Sequence, residues 1–233
     1  MQARSQVRSA ASDWLERSLG CRLECDALLE EALTHRSVGS RNYERLEFLG
    51  DAVLSFVVAE MLYREFDGAT EGELSRYRAS LVSGEALGGI ALGLGLGEQL
   101  RLGEGELKSG GFRRISILAD ALEAVIGAVY LELGLPAARS AIERLFAGRV
   151  GELPDAAELK DPKTRLQERL QGRGLSTPRY EVVRVSGEPH EQSFTVRCEV
   201  PALGLGAEAT GTSRRRAEQE AAALVLELIP VKP

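Results

Sequence analysis

Residues 42–58 read Asn-Tyr-Glu-Arg-Leu-Glu-Phe-Leu-Gly-Asp-Ala-Val-Leu-Ser-Phe-Val-Val. The three acids of this stretch, Glu44, Glu47 and Asp51, stand at i, i+3 and i+7. On a helix turning 100° per residue, that spacing gathers them within about 60° of one another. Like charges stacked on one helical face repel. A solvated face paired with Arg41 and Arg45 is the bland alternative. It is weakened by Leu46, Phe48, Leu49, Val53 and Leu54, which surround the acids with bulky apolar groups. Acids set at the edge of an apolar helix point to a cation, and so to metal-dependent chemistry.

Working outward, the chain to about residue 148 reads as helices. Helical periodicity or helix-former composition covers Ser5–Leu19, Asp26–His35, Tyr43–Arg64, Glu71–Leu92, Arg114–Leu133 and Pro136–Phe146. Gly20 suits a helix stop and Pro136 a helix start. Gly93–Gly97 and Gly103–Gly111 are expected to be loops. No strand signal interrupts the series, so this part is read as all-α.

The pattern changes after Gly148. Gly151, Pro154 and Asp161-Pro162 are linker and helix-start signals. A helix is expected over Lys163–Gln171 and a short strand over Tyr180–Val185. Phe194, Val196, Cys198 and Val200 alternate with polar residues, a period of two. Ala202–Thr210 is a weaker third strand. A last helix runs over Ala217–Ile229 behind Ser213, a candidate N-cap. The reading is an all-α domain (1–150), a linker (151–160) and a small α+β domain of order α-β-β-β-α (161–230).

The composition is that of a globular chain: 233 residues, 44% hydrophobic and 27% charged. No apolar run reaches the ~18 residues that span a bilayer, and residues 1–11 lack the apolar core of a signal peptide. Three cysteines fit a reducing compartment rather than a disulfide framework. Cys21 and Cys25 are too poorly supplied with partner ligands for zinc and read as free thiols. The net charge of −6 argues against a nucleic-acid partner, but the charge is uneven. From Glu158 onward there are 12 basic and 11 acidic residues, leaving 17 basic and 24 acidic for the rest. The acidic balance therefore belongs to the helical part.

A second acidic pair, Asp120 and Glu123, lies in Ile-Leu-Ala-Asp-Ala-Leu-Glu-Ala-Val-Ile (117–126), otherwise wholly apolar. Buried acids are costly unless paired or metal-bound, and no Lys or Arg lies between Ile115 and Ala138. Two helices offering inward carboxylates make an oxygen site for a hard cation such as Mg²⁺ or Mn²⁺, suited to phosphodiester hydrolysis. The glycine-rich stretch 103–114 contributes Lys108, Arg113 and Arg114 as candidate phosphate contacts. Ser213-Arg214-Arg215-Arg216 opens a helix, where backbone N–H groups and guanidiniums converge on an anion. No pair of base-stacking aromatics accompanies it, so the expected ligand is a duplex backbone.

These residues resemble bacterial ribonuclease III over nearly the whole chain. The resemblance rests on Glu-Arg-Leu-Glu-Phe-Leu-Gly-Asp (44–51), Gly-Glu-Leu-Lys-Ser-Gly-Gly-Phe-Arg-Arg (105–114), Ile-Leu-Ala-Asp-Ala-Leu-Glu (117–123) and Asp-Pro-Lys-Thr-Arg-Leu-Gln-Glu (161–168), in the family's order and spacing. It implies a double-strand-specific endoribonuclease with a helical catalytic domain and a double-stranded-RNA-binding domain. It implies 5′-phosphate and 3′-hydroxyl products with short 3′ overhangs, a role in rRNA and mRNA processing, and a cytoplasmic homodimer with no membrane and no organic cofactor. Glu47, Asp51, Asp120 and Glu123 match the family's metal carboxylates, with Mg²⁺ as the ion and Mn²⁺ as a substitute. Asp51 and Glu123, with Glu44 and Glu71, match its catalytic acids. Phe48 resembles a residue packing across the dimer interface. Thr164, Gln167, Glu168 and His190 match minor-groove contacts, and Arg214, Arg215 and Arg216 match phosphate contacts. Glu218 departs from the Lys of many such domains, which leads to an expectation of weaker affinity. The alternative is a non-cleaving double-stranded-RNA-binding dimer; a helical hydrolase of small phosphate esters would leave the C-terminal domain without a use.

Overall fold

The computed structural model describes residues 9–188 and 191–230. Two compact units divide the chain at Ala156/Ala157.

The first unit is helical. Helices α1 (Ala10–Leu19), α2 (Asp26–Ala32), α3 (Glu44–Glu65), α4 (Glu71–Leu81), α5 (Gly84–Gly93), α6 (Glu104–Lys108) and α7 (Ile115–Phe146) follow in order. Ser9 caps α1, its side chain accepting from Ser12 N, and Gly20 ends it at φ 71°. Residues 5–8 of the expected first helix lie outside the described residues. Helix α7 is the centre of this unit. Ile117 to Val129 is buried except at Asp120 and Glu123, so only a position enclosed by neighbours suits so apolar a segment. Helices α3 and α5 pack on it and bury Leu54, Val57, Val58 and Leu62 from α3 and Leu87 and Ala91 from α5. Each buried Leu or Val side chain contributes about 1.5–3 kcal/mol of transfer free energy.

Two expected boundaries change and one expected break holds. The single helix expected over Glu71–Leu92 is two, because the Ser83 side chain accepts from Ala86 N and starts α5 afresh. The two segments expected at Arg114–Leu133 and Pro136–Phe146 both form, as the arms of α7 on either side of a break at Gly134 (φ 77°, ψ 179°) that only glycine adopts without strain. The expected loop 103–111 holds α6, followed by a 3₁₀ turn at Gly111–Arg113.

The second unit has the order α8 (Pro162–Gln171), β1 (Arg179–Ser186), β2 (Ser193–Val200), β3 (Leu205–Gly211) and α9 (Arg214–Leu228). The strands form an antiparallel sheet in the order β1-β2-β3. Alternate β2 residues Val196, Cys198 and Val200 are buried. Cys198 and Val200 pack with Leu166 and Leu170 from α8 and Ala221, Ala222 and Val225 from α9. The third strand begins later than expected, because Pro201–Leu203 forms a 3₁₀ turn ended by Gly204 at φ 63°. Helix α9 begins earlier, at Arg214, since Ser213 accepts from Arg216 N and places all three arginines in the first turn.

Candidate active site

Helices α3 and α7 cross backbone to backbone. A Cβ on Gly50 would lie 1.8 Å from the Glu123 carbonyl oxygen, and one on Gly127 would lie 2.3 Å from that of Leu46. Two glycines therefore remove the side chains that would hold the helices apart. Glu47 is one turn before Gly50; Glu123 and Asp120 are one and two turns before Gly127. The crossing gathers these acids: Glu47, Asp120 and Glu123 each offer a carboxylate oxygen, all within 4.8 Å of one another. All three are half-buried.

Such acids resist ionisation. Burial pushes Glu123 up to about 8, reinforced by the charges of Asp51, Glu47 and Asp120. Burial also raises Glu47, with Asp120 and Glu44 adding repulsion and Arg36 opposing it. Asp120 is raised by burial against the opposing charges of His35 and Arg36. The Tyr43 hydroxyl is raised by burial and then by Asp120 and Glu47. Three oxygen donors in this state fit a hard divalent ion, whose charge offsets both the repulsion and the desolvation.

The other expected acids stand differently. Asp51 is exposed, accepts from Ser55 Oγ at 3.3 Å and is outside the three-carboxylate group, although its charge reaches Glu123. Glu44 is exposed and pairs with Arg36 at 3.5 Å. Glu71, the first residue of α4, accepts from Ser75 Oγ at 2.8 Å and is not among the charges bearing on Glu123. A cavity of about 230 Å³ adjoins the cluster, lined by Glu47, Glu44, Asp120, Arg36 and Arg114 among others. Of the expected loop cations, Lys108 pairs with Glu104 at 3.5 Å and Arg113 lies over the Phe112 ring; neither lines that cavity. Arg114 does, held by Glu106 at 3.0 Å. Nothing in the sequence marks Arg36, which sits in the turn before α3, outside any periodic segment.

Phe48 is 81% exposed on α3, and Phe56 and Tyr63 are also exposed. Phe48 borders an apolar hollow of about 620 Å³ with Leu28, Leu46, Leu49 and Leu131.

In the second unit, Thr164, Gln167 and Glu168 are exposed on α8, and Glu168 pairs with Lys160 at 2.7 Å. Arg214, Arg215 and Arg216 are exposed in the first turn of α9. His190 lies outside the described residues. Glu218 is buried and accepts from Lys163 Nζ at 2.5 Å and Arg214 Nε at 2.8 Å.

The Ribonuclease-III-like family profile matches residues 26–150 and the double-stranded RNA binding motif matches residues 162–229. The chain belongs to the ribonuclease III family. It is 56% identical to Ribonuclease 3 of Aromatoleum aromaticum over 214 residues, covering 92% of this chain and 95% of that one. To Ribonuclease 3 of Pseudomonas fluorescens it is 55% identical over 218 residues, with 94% and 95% covered. Among solved structures, the nuclease domain of ribonuclease III from Campylobacter jejuni superposes with a TM-score of 0.59 at 42% identity, covering 63% of this chain and all of that one. A second structure of that nuclease domain, described for flexibility in a region involved in dimer formation, gives 0.56 at 46% identity, covering 57% of this chain and 94% of that one.

The ribonuclease III assignment bears out the fold expected from the sequence, a helical nuclease domain followed by an α-β-β-β-α double-stranded-RNA-binding domain, and makes the chain a ribonuclease. Among the described residues, no helix is long and apolar enough to cross a membrane.

Proposed function

We propose that this ribonuclease is a metal-dependent endonuclease of double-stranded RNA that hydrolyses phosphodiester bonds to 5′-phosphate and 3′-hydroxyl ends with short 3′ overhangs. The observation that carries the reading is the carboxylate cluster at the α3/α7 crossing, in a chain that also holds a double-stranded-RNA-binding fold. Glu47, Asp120 and Glu123 would hold Mg²⁺, or Mn²⁺ in its place, and Asp51 and Glu44 add negative charge beside them. A bound ion supplies an activated water and charge stabilisation at the phosphate. Arg36 and Arg114, on the adjoining cavity, are suited to orient phosphate oxygens there. Glu71 enters as a further processing acid on the family resemblance alone.

The exposed Phe48 and the apolar hollow beside it suit a second copy of the chain, in keeping with the dimer-forming region named for the Campylobacter jejuni domain. We assign duplex contacts to Thr164, Gln167, Glu168 and His190 and phosphate contacts to Arg214, Arg215 and Arg216. The biological setting would be rRNA and mRNA processing in the cytoplasm. A dimer that binds without cutting would have no use for three carboxylates forced together at a helix crossing.

The test is Glu123→Gln and Glu123→Ala in Mg²⁺ with labelled duplex. The expected result is loss of cleavage with duplex binding retained. Near-normal cleavage by a correctly folded Glu123→Ala protein would sink the assignment.

A further inference from the structure

Glu218 looks misplaced in a surface that must meet phosphates. It lies on the first turns of α9, four residues from Arg214, and is 8% exposed. A carboxylate there would be expected to repel RNA. The geometry gives it another task. Its two oxygens are used separately: Oε2 accepts from Lys163 Nζ of α8 at 2.5 Å, and Oε1 accepts from Arg214 Nε at 2.8 Å. The next residue, Gln219, donates through Nε2 to Asp161 Oδ2 at 2.5 Å, and Asp161 is itself the N-cap of α8. Successive residues of α9 thus fasten the start of α8, the helix carrying Thr164, Gln167 and Glu168.

The Arg214 contact is through Nε alone. Its terminal nitrogens have no protein partner among the described residues, and the side chain is 66% exposed. Arg215 and Arg216 have no carboxylate partner among the described residues. A guanidinium gripped at Nε keeps its two-pronged end for an incoming anion, already ordered. Burial would raise the Glu218 carboxyl, but Lys163 and Arg214 overcome it and hold it below the usual carboxylate range, so it is ionised at neutral pH.

We propose that Glu218 is a positioning residue for RNA recognition, orienting Arg214 toward a duplex phosphate and fixing α8 against the start of α9. This rests on the reading of residues 162–229 as the duplex-binding domain. Removing its side chain should therefore weaken RNA binding, the opposite of what simple repulsion dictates.

The experiment measures equilibrium binding of a labelled RNA duplex, longer than the ~16 bp such a domain spans, by the full-length protein without divalent ions across a salt series. Glu218→Ala is expected to weaken binding about three- to tenfold, the cost of ordering a free arginine on binding. The slope of log affinity against log salt should fall by about one. In an Arg214→Ala background the same substitution should cost clearly less, only the part that comes from releasing Lys163 and the start of α8. Glu218→Gln, whose amide oxygen still accepts from Arg214, should restore most of the affinity. Should Glu218→Ala fail to fold, Glu218→Gln carries the test, with a smaller loss that shrinks further in the Arg214→Ala background. Tighter binding by either variant, or a loss of equal size with and without Arg214, overturns the proposal. If the wild type binds no duplex, the RNA-binding reading fails and this proposal falls with it.

Discussion

Replacing Glu123 by glutamine should stabilise the metal-free nuclease domain while destroying its activity. Glu123 stands near 8 rather than its ordinary 4.5, because burial and then Asp51, Glu47 and Asp120 oppose its charge. The folded state therefore holds a proton that the unfolded chain has released between those two values. Stability must fall as pH rises from about 4.5 to about 8, at up to 1.4 kcal/mol per pH unit. Taken whole, the rise sets a ceiling of about 5 kcal/mol; water reaching this half-buried group brings the expected penalty to about 2 kcal/mol. Glutamine keeps the shape and removes the charge. At a pH of about 9 the variant should melt about 4–8 °C higher than the wild type, and at a pH of about 5 the two should nearly coincide. Trp14 makes the assay specific. It is the single tryptophan, buried in the helical unit and donating to the Leu94 carbonyl at 2.7 Å, so its fluorescence follows that unit alone. Protein concentration is held constant, since dimerisation shifts apparent stability. Adding Mg²⁺ should raise the wild-type melting point more than that of the variant. A Glu123→Gln variant no more stable than the wild type near pH 9, or stabilised equally near pH 5, would refute the claim that burial and the neighbouring acids oppose the charge of Glu123.

Gly50→Ala should destabilise the helical unit by at least about 1–3 kcal/mol, since its new methyl meets backbone rather than a movable side chain; Trp14 fluorescence during urea unfolding checks it. Arg214→Ala with Arg215→Ala should weaken duplex binding about uniformly across sequences and lower the salt slope by about two, read from the same salt series. Phe48→Ala should shift the proposed dimer toward monomer, measured by light scattering over a concentration range; equal self-association of wild type and variant would remove Phe48 from the interface.

Much of the site is legible in the amino-acid sequence, and for a physical reason. Helical spacing places Glu47 on one acidic face and Asp120 and Glu123 on another, and acids within apolar helices announce their own cost. What spacing leaves open is which members of each face turn inward. Glu44, Glu47 and Asp51 share one side of α3, yet Glu47 alone of the three joins the close group with Asp120 and Glu123; it follows Leu46, whose carbonyl lies against Gly127 at the crossing. That contact is tertiary and leaves no mark in periodicity. The same holds for Arg36, brought beside the cluster by a turn, and for Glu218, whose partner Lys163 is 55 residues away. Helix boundaries escape a reading of periodicity where one residue decides them. Ser83 ends a run that looks continuous in composition, whereas the break at Gly134 is legible because Pro136 follows it as a helix start.

Cleavage of double-stranded RNA by carboxylate-held metal is open to direct test. The most direct measurement incubates the purified wild-type protein with end-labelled duplex RNA, with Mg²⁺ and with chelator, and resolves the products on denaturing and native gels. Short fragments with 5′-phosphate and 3′-hydroxyl ends are expected in Mg²⁺, and a shifted, intact duplex in chelator. An intact duplex under both conditions, or equal cleavage without divalent ions, would contradict it.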